Sequence, residues 1–363
     1  LVGYILIGIL FVSLPINMLG KTTDTYDILG GLSLNINAVK KTAPRALLVA
    51  IIGILASIGA CTIMMYFAFK FKISESFLSG IALSSTSVAV AITIMVQHQM
   101  LSSPVGYLII TAALFDDIIC LILLSTVTQI FGSGIDFWSV FRPIIASFGI
   151  IIVGIGLCFG IVLLNNWVYM KISQKDENDK KEKLYHYGLL LFMLIYGGIL
   201  SFAADFAGSS RLLGAFMAGL AFSAIEDALL IWENKVLIIQ KCLMTIFFAS
   251  IGFIILAQEL FQLEILLKGT LYSLVAAFGK LVTGFFHIST SKSEKLVVSF
   301  AMVARGELGL VLILQSFETG LMARDSFAIT CWAIVICTLF GAIALQFMVN
   351  QQHKQKENES DIH

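Results

Sequence analysis

Apolar residues in this chain come in long runs separated by short polar joints. The runs cover residues 1–14, 28–39, 46–69, 76–97, 104–131, 144–170, 185–204, 210–225, 236–257, 263–288, 295–317 and 326–349. A helix rises 1.5 Å per residue, so about 20 apolar residues cross a bilayer core of about 30 Å. The pattern predicts an all-α polytopic membrane protein of about twelve transmembrane segments. One joint is strongly polar, Lys-Ile-Ser-Gln-Lys-Asp-Glu-Asn-Asp-Lys-Lys-Glu-Lys at 171–183, and it divides the runs into two halves. A short polar tail, 351–363, follows the last run.

Composition supports that class. The chain is 58% hydrophobic and 13% charged, whereas a soluble chain would carry nearer a quarter charged residues. Net charge is zero, so bulk charge gives no reason to expect a nucleic-acid partner. The cysteines, Cys61, Cys120, Cys158, Cys242, Cys331 and Cys337, all lie inside apolar runs without a Cys-x-x-Cys pair. They read as small core residues, and no cofactor is expected. His98, His186 and His287 fall at segment ends, and His353 and His363 in the tail. Residues 1–14 carry neither a basic leader nor a small-residue cleavage site, so no signal peptide is expected.

Basic residues orient the segments. If the 171–183 joint is cytoplasmic, alternation places fourteen Lys and Arg residues on its side and seven on the other, with Lys280 and Arg305 inside apolar runs. The bias favours a cytoplasmic joint and a cytoplasmic C-terminus; the identity of the membrane stays open.

Charge inside the apolar runs is the candidate chemistry. Asp116 and Asp117 are adjacent in the middle of a run opened by Pro104 and closed by Gly132. An ionised group at bilayer depth costs several kcal/mol, so two together imply an ion or proton site. Successive helix residues point about 100° apart, so the two aspartates have separate partners and separate roles. Lys280, Arg305 and Glu307 complete the deep ionisable set, three acids and two bases. Pairing two acids with two bases leaves one carboxylate for cargo.

Two runs also carry helix-breaking chemistry at mid-length. Leu-Ser-Ser-Thr-Ser at 83–87 follows Gly80, and Ala-Arg-Gly-Glu-Leu-Gly occupies 304–309. Glycine weakens a helix, and short hydroxyl side chains offer the backbone other partners. Irregular backbone at that depth survives only where it lines protein or a wet cavity. Each interruption lies in the middle helix of a three-helix block, 46–131 and 263–349. Opposed broken helices in two inverted blocks mark the substrate site of many secondary transporters. The interruptions are expected to cross.

These stretches resemble the monovalent cation:proton antiporters, in the branch that includes bacterial sodium/proton antiporters and potassium-efflux antiporters. The resemblance rests on Phe-Asp-Asp-Ile at 115–118, Ala-Leu-Ser-Ser-Thr-Ser-Val-Ala at 82–89 and Ser-Ser-Arg-Leu-Leu-Gly-Ala-Phe-Met-Ala-Gly-Leu at 209–220. It also rests on Ile-Phe-Phe-Ala-Ser-Ile-Gly at 246–252, Lys280 and Ala-Arg-Gly-Glu-Leu-Gly at 304–309. It covers about residues 30–345 and implies the sodium/proton antiporter fold over residues 1–350. The core would be 46–131 with 263–349, and residues 1–45 and 144–257 would form a dimerisation and scaffold region. It further implies a homodimer in a lipid bilayer that exchanges Na+ or Li+ for H+. Asp117 would be the metal and proton ligand, with Thr86 and Ser87 lining the site. Asp116 would pair with Lys280, while Arg305 and Glu307 hold the second crossover. Against the family pattern the N-terminal region is shortened: Pro15 to Gly31 is too short for another span, and Asn35 and Asn37 stand where acids are common. Potassium/proton exchange and a non-transporting membrane subunit are the alternatives. No nucleophile–base pair lies at depth, so an enzyme is not expected.

Overall fold

The computed structural model describes residues 36–98, 100, 103–133, 137–173, 179–222, 225–236, 239, 242, 246, 262–286 and 292–360. Every regular element among them is helical. The runs 1–14 and 236–257, the Gly31–Leu34 stretch and the 246–252 motif lie outside the described residues, wholly or for most of their length. Six helices are long and apolar enough to cross a membrane among the described residues: Thr42–Ala68, Pro104–Val127, Phe141–Trp167, Tyr185–Ala207, Leu263–Phe286 and Arg324–Gln351.

Packing divides the chain into two units. Among the described residues, one unit lies within 125–252 and the other within 24–124 and 253–363. The second unit is built as two sequence blocks of similar plan. The first block is α1 (Ile36–Ile63, extended by a π-turn to Ala68), α2 (Ile73–Ala82), α3 (Val88–Gln97) and α4 (Pro104–Ser133, in this unit as far as Leu124). The 125–252 unit holds α5 (Phe137–Ser173), α6 (Asp179–Ala207), α7 (Arg211–Phe222) and α8 (Glu226–Ile231). The second block is α9 (Leu263–Leu281, extended by a 3-10 turn to Phe286), α10 (Lys292–Ala301), α11 (Glu307–Glu318) and α12 (Arg324–Ser360). Each block is a long helix, an interrupted helix and a second long helix.

Inside this second unit α9 packs along α1 and α12, α1 holds α2, and α11 lies on α2. Gly279 lets α9 approach α1 closely, since a Cβ there would sit 2.9 Å from Ser57 Cα. In the other unit α7 is buried against α5 and α6. Gly214 brings it there, because its Cβ would meet the Leu200 carbonyl and lie 2.8 Å from Ser201 Cα. Outward faces remain apolar, with Ile152, Phe159 and Leu163 exposed on α5, as a lipid-facing surface requires.

Several boundaries differ from those the hydropathy suggests. The polar residues Lys40, Lys41 and Arg45 do not end a run, because α1 continues through them and through Pro44. Lysine and arginine are good helix formers, and proline removes one hydrogen bond without stopping a helix that is otherwise supported. The polar tail likewise continues α12 to Ser360. The 210–225 run is the 12-residue α7, with ten of its residues buried. It is apolar because protein surrounds it.

Candidate functional site

The two interruptions are where the second unit does something a plain bundle cannot. α2 stops at Ala82, and the chain runs irregularly to Ser87, which is extended and N-caps α3 by accepting from Val90 N at 3.4 Å. α10 stops at Ala301, and the chain is irregular to Gly306, also extended, before α11 opens at Glu307. The second break is thus 302–306, earlier than the 304–309 stretch suggests. Gly309 is helical. It serves close packing, since a Cβ there would lie 2.9 Å from the Ala82 carbonyl oxygen.

The breaks meet. Ser87 N donates to Ala304 O at 2.8 Å. A Cβ on Gly306 would sit 3.1 Å from Ser87 Cα, so that approach needs glycine or a yielding neighbour. Arg305 fastens the same point. Its Nη1 donates to Ser84 O and Ser85 O at 3.4 and 3.3 Å, and its Nη2 to Ala276 O at 2.9 Å. Arg305 is fully buried, and no described carboxylate lies within ion-pair distance of it. Its positive charge is set instead against the carbonyl end of α2, the negative pole of that helix. Thr338 Oγ1 lies 2.7 Å from both Arg305 O and Ile334 O, its one proton shared between them, behind the second break.

α4 brings the aspartates to this crossing. Asp116 is fully buried and Asp117 is 5% exposed. Lys280 Nζ, itself fully buried, donates to Asp116 Oδ1 and Oδ2 at 2.8 and 2.7 Å. Thr86 Oγ1 donates to Asp116 Oδ2 at 2.5 Å. Ser84 Oγ, which donates to Ile81 O, lies 3.1 Å from Cys120 Sγ, one turn beyond the aspartates. Two opposite charges this deep are tolerable only when each is paired and hydrogen-bonded, and this pair has both.

Of the residues the sequence singles out, Asp116, Thr86 and Lys280 form one connected cluster, with Ser87 and Arg305 on the crossing backbones. Thr86 is spent on Asp116. Glu307 opens α11, and its side chain lies outside the described residues. Other contributors carry no obvious sequence signal. Gly53 on α1 makes room for Thr283 and the lysine, since a Cβ there would sit 2.6 Å from Thr283 Cγ2 and 3.3 Å from Lys280 Nζ. Cys120 and Thr338 look like ordinary small helix residues in the sequence.

The sodium/hydrogen exchanger transmembrane family matches residues 28–351. The chain belongs to that family. It is an integral, multi-pass membrane protein of a family of transporters, not of enzymes. Among its relatives, the high-affinity Na+/H+ antiporter NhaS3 of Synechocystis is 25% identical over 353 residues, covering 96% of this chain and 74% of the relative. A Na+/H+ antiporter of Enterococcus hirae is 23% identical over 364 residues, covering 96% of this chain and 91% of the relative. The fold is similar to that of the sodium proton antiporter MjNhaP1 of Methanocaldococcus jannaschii. The TM-score is 0.59 at 16% identity, covering 94% of this chain and 83% of the other.

Proposed function

We propose that this exchanger-family chain is a secondary antiporter that exchanges Na+ or Li+ for H+, with both competing for Asp117. The observation that carries the reading is the commitment of Asp116. Its two oxygens are taken by Lys280 and Thr86, so the neighbouring carboxylate of the double aspartate is the one to receive cargo. Burial raises an aspartate's proton affinity and a bound cation lowers it. A proton and a hard alkali ion on one carboxylate then exclude each other. Exchange follows from that competition by alternating access, provided the empty charged site does not cross. Oxygen donors from the crossing backbones and Ser87 suit a hard cation. The relatives named as Na+/H+ antiporters support sodium as the cation. The family resemblance supports a homodimer with residues 1–45 and 144–257 as scaffold, and the basic bias supports a cytoplasmic C-terminus.

The test is proton flux in proteoliposomes under separate sodium, lithium and potassium gradients, with Asp117→Asn as control. The reading expects flux with sodium or lithium in the wild type and none in the Asn variant at equal incorporation. Flux with potassium alone would move the assignment to potassium/proton exchange. Normal sodium exchange by Asp117→Asn would end the role given to Asp117.

A further inference from the structure

Away from the crossing, the same unit holds another buried carboxylate. Glu75 lies in the first turn of α2 and is 5% exposed. No described basic side chain lies within ion-pair distance of it. Its Oε2 accepts from Ser326 Oγ at 2.8 Å and from Ala323 N at 3.4 Å. α12 begins at Arg324, directly after Ala323. The N–H groups that open a helix, the one on the residue just before it included, need acceptors. At α4 the local Ser103 supplies one, accepting from Gly106 N at 3.1 Å. At α12 Glu75 of α2 accepts from the N–H of Ala323, the residue just before the helix, and from the Ser326 hydroxyl in its first turn, and a carboxylate is well suited to the positive pole of a helix.

One turn deeper the same two helices are tied again. Ser79 Oγ lies 2.9 Å from Thr330 Oγ1 and 2.5 Å from Tyr272 Oη. Thr330 Oγ1 donates its one proton to Ser326 O at 2.6 Å. Ser79 must then donate to Thr330, and Tyr272 to Ser79. The chain is directional, fully buried, and joins α9, α2 and α12. Tyr272 also stands one turn before Ala276, whose carbonyl takes Arg305. α2 is therefore held at its outer end by Glu75 and at its middle by Ser79, and its inner end presents Ser84 and Ser85 to Arg305 and Thr86 to Asp116.

We propose that Glu75 is a positioning residue for the ion site: by capping α12 from α2, together with the Tyr272–Ser79–Thr330 chain, it fixes where α2 delivers the first break to the crossing. The proposal rests on the reading of the crossing as the exchange site. Ten helical residues form a stiff rod of about 15 Å, so a shift at Glu75 reaches Leu83–Thr86 nearly undiminished. Residues coupled in this way alter affinity at a distance without touching the ligand.

The experiment compares wild type, Glu75→Ala, Glu75→Gln and Tyr272→Phe in the full-length protein. Two readouts are taken: apparent KM for sodium against maximal rate per folded molecule in proteoliposomes, and hydrogen–deuterium exchange of the Leu83–Ser85 amides. Glu75→Ala is expected to raise KM roughly threefold or more with maximal rate retained, and to speed amide exchange at Leu83–Ser85 while α10 stays protected. Glu75→Gln keeps an oxygen acceptor and is expected to recover most of the KM. Tyr272→Phe, which removes one hydroxyl and keeps the ring, is expected to move both readouts the same way by less. Wild-type amide protection at Leu83–Ser85 in both Glu75→Ala and Tyr272→Phe overturns the proposal, as does an unchanged KM. If the wild type itself exchanges no cation, the function reading fails, and the amide exchange alone still decides whether Glu75 positions α2.

Discussion

Ser87 N donates to Ala304 O at 2.8 Å, so the two interrupted helices are joined main chain to main chain. Proline at 87 removes that donor, and the φ of −79° at Ser87 is one proline adopts. Ser87→Ala keeps the donor and loses the hydroxyl, with both its long cap to Val90 and its oxygen at the proposed ion site. Ser87→Pro should therefore melt lower than Ser87→Ala by the cost of an orphaned buried carbonyl, about 1–3 kcal/mol. Exchange should be lost in the proline variant and kept at a raised sodium KM in the alanine one. Equal melting temperatures would show that the crossing does not depend on this bond.

The Lys280–Asp116 pair should behave as a unit. Removing one member of a buried pair strands the other and costs about 3–5 kcal/mol. Lys280→Ala should lower thermal stability by that order, and Asp116→Asn made on top of it should recover some of the loss. The melting temperatures of both single variants and the double complete the cycle. Strictly additive losses would contradict the coupling. If the pair opens and closes during transport, wild-type exchange should also be electrogenic, measurable as a current in a proteoliposome assay.

Thr86 separates the two aspartates experimentally. Its hydroxyl donates to Asp116, and a hydrogen bond to a charged group is worth about 1.5–3 kcal/mol. Thr86→Val keeps the shape and should lower stability by about that much, with a smaller effect on sodium affinity than Asp117 variants. Thr86→Ser should restore stability. A sodium KM that rises in Thr86→Val without any loss of melting temperature would place the hydroxyl on the cation instead.

Gly341 on α12 sets how closely that helix backs the second break. A Cβ there would lie 2.6 Å from Ala304 N and 2.7 Å from Ala304 Cα, both backbone atoms that cannot swing aside. Gly341→Val should cost about 1–3 kcal/mol or more by overpacking, with transport lost together with stability. An unchanged melting curve would mean that α12 moves away from Ala304 without cost.

The sequence makes the expensive features visible. Ionised groups inside apolar runs demand partners, so Asp116, Asp117, Lys280 and Arg305 stand out by residue type and position alone. Hydroxyl and glycine clusters at 83–87 and 304–309 announce broken backbone for similar reasons. What stays hidden depends on direction and neighbourhood. Gly309 reads as a breaker but serves helix packing. Thr86 reads as a cation ligand, yet the helix crossing turns its hydroxyl to Asp116. Glu75 stands one residue outside an apolar window that opens at 76, so it looks like an ordinary solvated helix start. Its burial comes from the start of α12 lying against it, where Ala323 and Ser326 both donate to it. Lys40 to Arg45 read as a joint, because hydropathy records membrane depth and a helix can continue beyond it.

Gly53 on α1 faces both Thr283 and Lys280 of the second block. A would-be Cβ at 53 would meet Thr283 Cγ2 at 2.6 Å and stand 3.3 Å from Lys280 Cδ and Nζ, so a side chain there is refused first by the threonine and then crowds the lysine. Drift at position 53 is therefore constrained by both partners. A lineage that acquires a bulkier residue at 53 must first give up the bulk at 283, and only then crowds a lysine whose loss would leave a bare buried aspartate at 116. Substitutions at 53 and 283 should accordingly travel together among exchanger-family chains.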